Sequence, residues 1–162
     1  MLPDDLLKIV ELEESCKLSR WGYDAYLDEL ARPDALLYVA RNYKQGSCID
    51  QSLTDGESLL GFIAARLYAD EMHINNIAVD VSARRLGVGG NLLTHSTEIG
   101  AQRGARIISL EVRESNVTAQ KLYRAYNFAT VGVRKNYYKN PVENALLMSA
   151  RLAKNGLIGR VV

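Results

Sequence analysis

The chain has 162 residues, 48% of them hydrophobic and 24% charged, which suits one soluble domain built around a single core. A net charge of +1 gives no general field that would draw the protein onto nucleic acid, so any anion site has to be local. No apolar run approaches the roughly 20 residues that cross a bilayer, and the start Met1-Leu-Pro-Asp-Asp lacks the basic and apolar segments of a secretory signal, so a cytoplasmic protein with no membrane partner is expected.

Asp4 and Asp5 favour a helix start, and Leu6, Ile9, Val10, Leu12 and Cys16 then mark one buried helical face. A second helix is predicted from Tyr23 to Leu30, stopping before Pro33, and a strand from Ala35 to Arg41. Residues 42–57 are rich in Gly, Asp, Ser, Gln and Thr and read as a long flexible loop. Strands are expected at Ser58 to Tyr68 and at His73 to Asp80, the latter with His73, Asn75, Ile77 and Val79 on one face.

After a glycine-rich turn, Leu92, Leu93, Ser96 and Ile99 define a helix that ends by Gly104. Arg106 to Arg113 is a nearly continuous apolar strand, buried on both faces, whose exception is Glu111. Ser115 or Asn116 caps a helix with the stripe Ala119, Leu122, Tyr123 and Tyr126, and strands follow at Val131 to Tyr138 and Ala145 to Ala150. The tail 153–162 has no clear period. There is no internal repeat, so 1–162 reads as one α/β domain whose parallel crossover should be right-handed. Cys16, Cys48, His73 and His95 show no metal-ligand spacing, and no metal is expected.

The turn Arg84-Arg85-Leu86-Gly87-Val88-Gly89-Gly90 joins a strand to a helix. Amides there have no partners inside the helix and point outward with its dipole, so they can hold a phosphate, with Arg84 and Arg85 adding charge at the mouth. Glycine at such a turn serves close packing just as readily. Two sharper templates fail, because no Lys-Ser/Thr follows as in a P-loop and a third glycine at dinucleotide-fold spacing is missing.

Ile77-Ala-Val-Asp followed by Arg84-x-x-Gly87-x-Gly89 resembles the acetyl-CoA-binding motif of the GNAT acetyltransferases. Leu110-Glu-Val-Arg-Glu-Ser-Asn116, Leu122-Tyr123 and Arg134-Lys-Asn-Tyr-Tyr138 are similar to the RimI branch, the N-alpha-acetyltransferases of ribosomal protein. The resemblance runs from about Leu60 to Ala150, reaching weakly to Trp21. It implies a mixed, mostly antiparallel sheet splayed between its fourth and fifth strands, with helices on both faces. It also implies acetyl-CoA as acetyl donor, a protein N-terminus as partner, and a monomer or weak dimer. Its pantetheine arm would lie along the backbone of Ile77, Ala78 and Val79, with the pyrophosphate on amides of Arg85, Leu86, Gly87, Val88, Gly89 and Gly90. Asn116 and Tyr123 would meet it further along. Many relatives have a basic residue where this chain has Gly90, which leaves fewer charges for the phosphates.

Acyl transfer to an amine needs a free nitrogen lone pair and a proton for the departing thiolate. By position alone Glu111 would pair with Arg113 on its own face, and Tyr123 would be a core aromatic. The resemblance instead makes Glu111 the base and Tyr123 the acid. Burial in an apolar strand should raise the Glu111 pKa. With no cysteine where acid and base converge, direct transfer is expected. An α-amine, near 7.7 to 8.0 against about 10.4 for lysine, is roughly 3 to 4 kcal/mol easier to deprotonate. Tyr137 and Tyr138 would line a peptide groove and Trp21 a substrate-side wall, although tyrosines at strand ends and a lone Trp also serve packing. A lysine or small-amine acceptor, or an acyl-CoA-binding module without activity, are the other readings. His73 reads as a strand residue with a satisfied hydrogen bond.

Overall fold

Alternating apolar residues on the strands create two cores, one on each side of a sheet. The computed structural model describes residues 1–16, 18, 20–42 and 58–153. Its strands are β1 (Ala35–Asn42), β2 (Ser58–Tyr68), β3 (Glu71–Val79), β4 (Ile107–Arg113), β5 (Ala129–Lys139) and β6 (Val142–Arg151), in the spatial order β1-β2-β3-β4-β6-β5. The helices are α1 (Leu6–Ser15), α2 (Gly22–Leu30), α3 (Val88–Gln102) and α4 (Val117–Ala125). The loop expected at 42–57 lies outside the described residues except for Asn42, which ends β1, and so does the tail after Ala153. Among the described residues no helix is long and apolar enough to cross a membrane.

On β2, Ile63 and Ala65 face one core, where Met72, Ile74, Ile108, Leu110 and Val112 meet Leu92 and Leu93 of α3 and Tyr123 of α4. Phe62 and Ala64 face the other, with Leu6, Ile9 and Leu12 of α1 and Tyr26 of α2. Period-2 strands against period-3.6 helices give this sandwich directly. β4 is covered on both faces as expected, and the side opposite Leu110 carries the polar Ser109 and Glu111.

The second core encloses a carboxylate. Glu13 is fully buried. Its Oε1 accepts from Trp21 N at 2.9 Å, Tyr26 Oη at 3.0 Å and Asn76 Nδ2 at 3.2 Å, and its Oε2 from Gly22 N at 3.2 Å. Burying a carboxylate is tolerable only when its lone pairs are satisfied, and satisfying them here fixes the start of α2 against both α1 and β3.

Register positions the site. β2 pairs with β3 through Ala64↔Asn76 and Ala65↔Ile74, so Asn75 is an extra residue, a β-bulge. The bulge reverses the alternation: Met72 and Ile74 face the α3 core before it, Ile77 and Val79 after it, while Ala78 turns to the α1 core. His73 and Ile77 therefore lie on opposite faces, contrary to the strict period read from sequence. β3 and β4 pair in parallel only over Glu71–Ile74 and Ile107–Leu110, then part. The first residues beyond the last pair are Asn75 and Glu111. The splay expected between a fourth and a fifth strand thus falls between β3 and β4 in chain order, because the N-terminal residues form helices rather than a strand.

Candidate active site

The fork has two arms. Along β3, the strand edge from Asn75 to Val79 that β4 has left is open to an extended partner, since main-chain groups on a vacated edge seek a strand-like ligand. Ile77 and Val79 are half-buried and Ala78 is buried, so this stretch offers backbone rather than side chains. The Val79 carbonyl accepts from Arg84 Nε at 3.3 Å and lies 3.7 Å from Cys16 Sγ, and Arg84 Nη2 is 3.5 Å from that thiol. Arg84 therefore turns back onto the strand end instead of adding its charge at the turn.

The turn itself is built from backbone. Arg85 and Gly87 have φ of 67° and 83°, and a Cβ on Gly87 would meet nothing within 4 Å. Leu86 is exposed, Val88 buried. α3 closes its first hydrogen bond from Asn91 N to Gly87 O at 2.9 Å, so the amides of Val88, Gly89 and Gly90 precede any intrahelical partner. These amides, the positive end of α3 and the open approach at Gly87 fit a diphosphate. A Cβ on Gly89 would only touch Leu122 and Val79, at 3.4 Å each. Gly90 is different: it is buried, and a Cβ there would collide with the Tyr126 hydroxyl. Tyr126, which caps the C-terminal end of α4, thus leaves no room at position 90 for the basic side chain that the resemblance would put there.

Glu111, on the second arm, is 10% exposed, with Oε2 3.0 Å from His73 Nε2 and Oε1 3.2 Å from Arg134 Nη2. The hydrogen bond from His73 is the largest influence and outweighs burial, and the charges of His73 and Arg134 act the same way, holding the carboxyl below the usual carboxylate range. The upward shift expected from desolvation is therefore reversed, and Arg113 is not its partner. Arg113 instead bonds Glu143 at 3.1 Å and lies over the Tyr138 ring at 4.0 Å.

Tyr123 is buried against Phe128, ring centroids 5.7 Å apart, and burial first, then Tyr138, lifts its phenol well above the usual range. Burial also pushes Tyr138 up to about 12, with Arg113 lowering it and Tyr137 and Glu111 raising it. Tyr138 is thus the electrostatic neighbour of both Glu111 and Tyr123. The Tyr137 ring packs edge-on against it at 5.2 Å, with Arg134 5.7 Å from the Tyr137 centroid. A register shift between Arg134 and Tyr138 lets β5 present these neighbours together.

Asn116, not Ser115, caps α4, its Oδ1 accepting from Ala119 N at 3.1 Å. Trp21 is half-buried, stacked on Tyr26 at 5.2 Å, which places it over the second core beside β3 rather than with the tyrosines of β5. His73 and Arg134 are the site residues that sequence reasoning missed. His73 stands opposite Ser109 only through the β3–β4 register, which has no local signal, whereas Arg134 was within the matched motif and could have been weighed as a counter-ion.

Residues 6–128 match the model of the acetyltransferase (GNAT) family. The chain belongs to the GNAT acetyltransferases. Acetyl-CoA is the acyl donor of that family. A candidate ribosomal protein bS18-alanine N-acetyltransferase of Bacillus subtilis strain 168 is 32% identical over 145 residues, 90% of this chain and 88% of that one. The ribosomal protein bS18-alanine N-acetyltransferase of Haemophilus ducreyi is 28% identical over 155 residues, 94% and 97% of the two chains. The crystal structure of the ribosomal-protein-S18-alanine N-acetyltransferase from Escherichia coli superposes with a TM-score of 0.75 at 26% identity, covering 93% of this chain and 90% of that one.

Proposed function

We propose that this GNAT enzyme acetylates the N-terminal α-amine of a protein, with a ribosomal protein as the acceptor, by direct transfer from acetyl-CoA. The observation that carries the reading is the placement of Glu111 at the first position beyond the last β3–β4 pair, with Tyr138 an electrostatic neighbour of both Glu111 and the buried Tyr123. The names of the similar proteins in Bacillus subtilis, Haemophilus ducreyi and Escherichia coli support the acceptor class.

Acetyl-CoA, when bound, supplies an acetyl group activated as a thioester. The amides of Val88, Gly89 and Gly90 would hold its diphosphate, and the vacated edge of β3 its arm. Glu111 stays ionised at neutral pH and receives the amine proton, directly or through one water. Tyr123, kept protonated by burial, is the donor for the departing sulfur. The Glu111 carboxyl is held below the usual carboxylate range, so an α-amine near 8 holds its proton more tightly than Glu111 does, a gap that disfavours leaving the proton on the carboxylate. Glu111 is therefore a transient acceptor. A lysine, near 10.4, would widen the gap by roughly another 3 to 4 kcal/mol.

The test is incubation with acetyl-CoA and peptides that vary in their first residue and each carry an internal lysine, read by mass. Acetyl added at the first residue, best with N-terminal alanine, is expected. Acetyl found on the lysine would replace this reading by the side-chain one.

A further inference from the structure

Two adjacent amides on β3 have opposite surroundings. Asn76 is buried, and its Nδ2 donates to Glu13 Oε1 at 3.2 Å and to Tyr26 Oη at 2.8 Å. Nδ2 of Asn75 is buried as well, yet among the described residues it is the one buried side-chain nitrogen or oxygen without a hydrogen-bond partner. Asn75 is the bulge residue, so it has no partner in the register with β2, and the pairing of β3 with β4 has ended one residue earlier, at Ile74. Its amide therefore stands where both neighbouring strands have let go. Across the fork, the Glu111 carboxylate is engaged by His73 and Arg134 instead. Buried donors are nearly always paired, and one left free marks a place where the acceptor comes from outside the chain.

The direction of β3 says which acceptor arrives. With a diphosphate on the amides of Val88, Gly89 and Gly90, and an arm along Val79, Ala78 and Ile77, an extended ligand brings its far end to the crotch of the fork. Asn75 and Glu111 are the first residues there beyond the last pair. A ligand that fills the edge displaces water from it, so a donor at that point needs its acceptor on the ligand itself. The acceptor at the thioester end is the acetyl carbonyl. We propose that Asn75 is a catalytic residue whose Nδ2–H group donates to the acetyl carbonyl oxygen, an assignment that rests on acetyl-CoA lying along the β3 edge as read above.

The transfer needs such a donor. The amine nitrogen bonds to the acetyl carbon while an electron pair of the carbonyl moves onto its oxygen; that pair returns as the carbon–sulfur bond breaks and the bonding electrons leave on sulfur. The amine proton goes to Glu111 and the sulfur takes one from Tyr123, so Asn75 neither gains nor loses a proton. Its hydrogen bond is strongest while the oxygen carries the charge, which lowers the barrier rather than only tightening binding. Glu111, ionised at the same fork, disfavours a second negative charge beside it. A neutral amide offsets that repulsion without competing for the amine proton.

Asn75→Leu and Asn75→Ala both remove the donor, one keeping most of the volume and one not. Each is compared with the parent in acetylation of a peptide with N-terminal alanine, in acetyl-CoA affinity by calorimetry, and in the infrared carbonyl band of bound acetyl-CoA carrying carbon-13 at that carbonyl. Both variants should lose about a hundredfold in kcat, the range of one lost donor to a developing oxyanion, with peptide KM and acetyl-CoA affinity nearly unchanged. The carbonyl band should lie at higher frequency in the variants, because the bond is no longer polarised. Since the parent Nδ2 has no partner in the ligand-free protein, Asn75→Leu should melt no lower than the parent without ligand. An unmoved band with parent kcat would overturn the assignment. A loss confined to peptide KM, with the band unmoved, would move the acceptor to the peptide and overturn it too. Lower melting and weaker acetyl-CoA binding in both variants, with kcat at saturation intact, would make Asn75 structural. Transfer by the parent to lysine instead of the first residue would remove the α-amine reading, while the band comparison would still decide the role of Asn75.

Discussion

The turn at Gly87 and the fork at Glu111, the two halves of the proposed site, are made in opposite ways. The turn works through main-chain amides and needs almost nothing from its side chains: Leu86 is exposed, Arg84 folds away onto Val79, and Gly87 opens onto empty space. The fork works through side chains that only tertiary register brings together, with His73 from β3, Glu111 from β4 and Arg134 from β5. The first depends on backbone conformation, the second on alignment between strands far apart in sequence. Damage to the turn should appear as weaker cofactor binding, and damage to the fork as slower chemistry.

Glu111→Gln tests that division most severely. It should lower kcat about a thousandfold, the range of a lost general base, while calorimetry finds acetyl-CoA affinity unchanged; a parallel loss of affinity would erase the distinction. Gly87→Val attacks the other half. Its φ of 83° strains a β-branched side chain by about 1 to 3 kcal/mol, and a turn that relaxes away from this conformation should weaken acetyl-CoA about tenfold or more while saturated kcat moves little.

Gly90 sharpens the comparison, because there the turn does depend on a side chain. Gly90→Arg should lower the melting temperature by displacing Tyr126, and Tyr126→Ala in the same chain should recover the loss, a coupling of about 1 kcal/mol in a double-mutant cycle. Additive melting temperatures would show that Tyr126 does not exclude the basic residue.

The smallest effect is a pH signature of the fork. The Glu111 carboxyl is depressed in the folded state, so its stabilisation is fully present above the unfolded value of about 4.3 and is lost as pH falls through the lower folded value. The gap in melting temperature between the parent and Glu111→Gln should narrow as pH falls below about 4. A gap that instead grows on acidification would mean a raised carboxyl.

Legibility in the sequence follows the same division. The helix faces, the strand Ser58–Tyr68, the stripe Ala119, Leu122, Tyr123 and Tyr126, and the glycine turn all carry local signals of period or conformation, and the structure has them. The bulge at Asn75 leaves no mark that period-2 reading can detect, so His73 was placed on the face of Ile77. Partner choice was also hidden. Arg113, two residues from Glu111, looked like its counter-ion, but the β5–β6 hairpin presents Glu143 and Tyr138 to Arg113 and leaves Glu111 to His73 and Arg134. The sign of the Glu111 shift was wrong for that reason: desolvation could be inferred from apolar neighbours in sequence, whereas the hydrogen bond that outweighs it could not.

The short seam between β3 and β4 bears on more than chemistry. Strands β1 to β3 and strands β4 to β6 form two half-sheets stitched by only the pairs from Glu71 with Ile107 to Ile74 with Leu110. A donor that slides into the gap would act as mortar, bonding to the loose margin of the first half and propping the second. Hydrogen exchange at Ile77 and Val79 should then slow in its presence, and the molecule's heat resistance should rise with the cellular supply of acyl thioester.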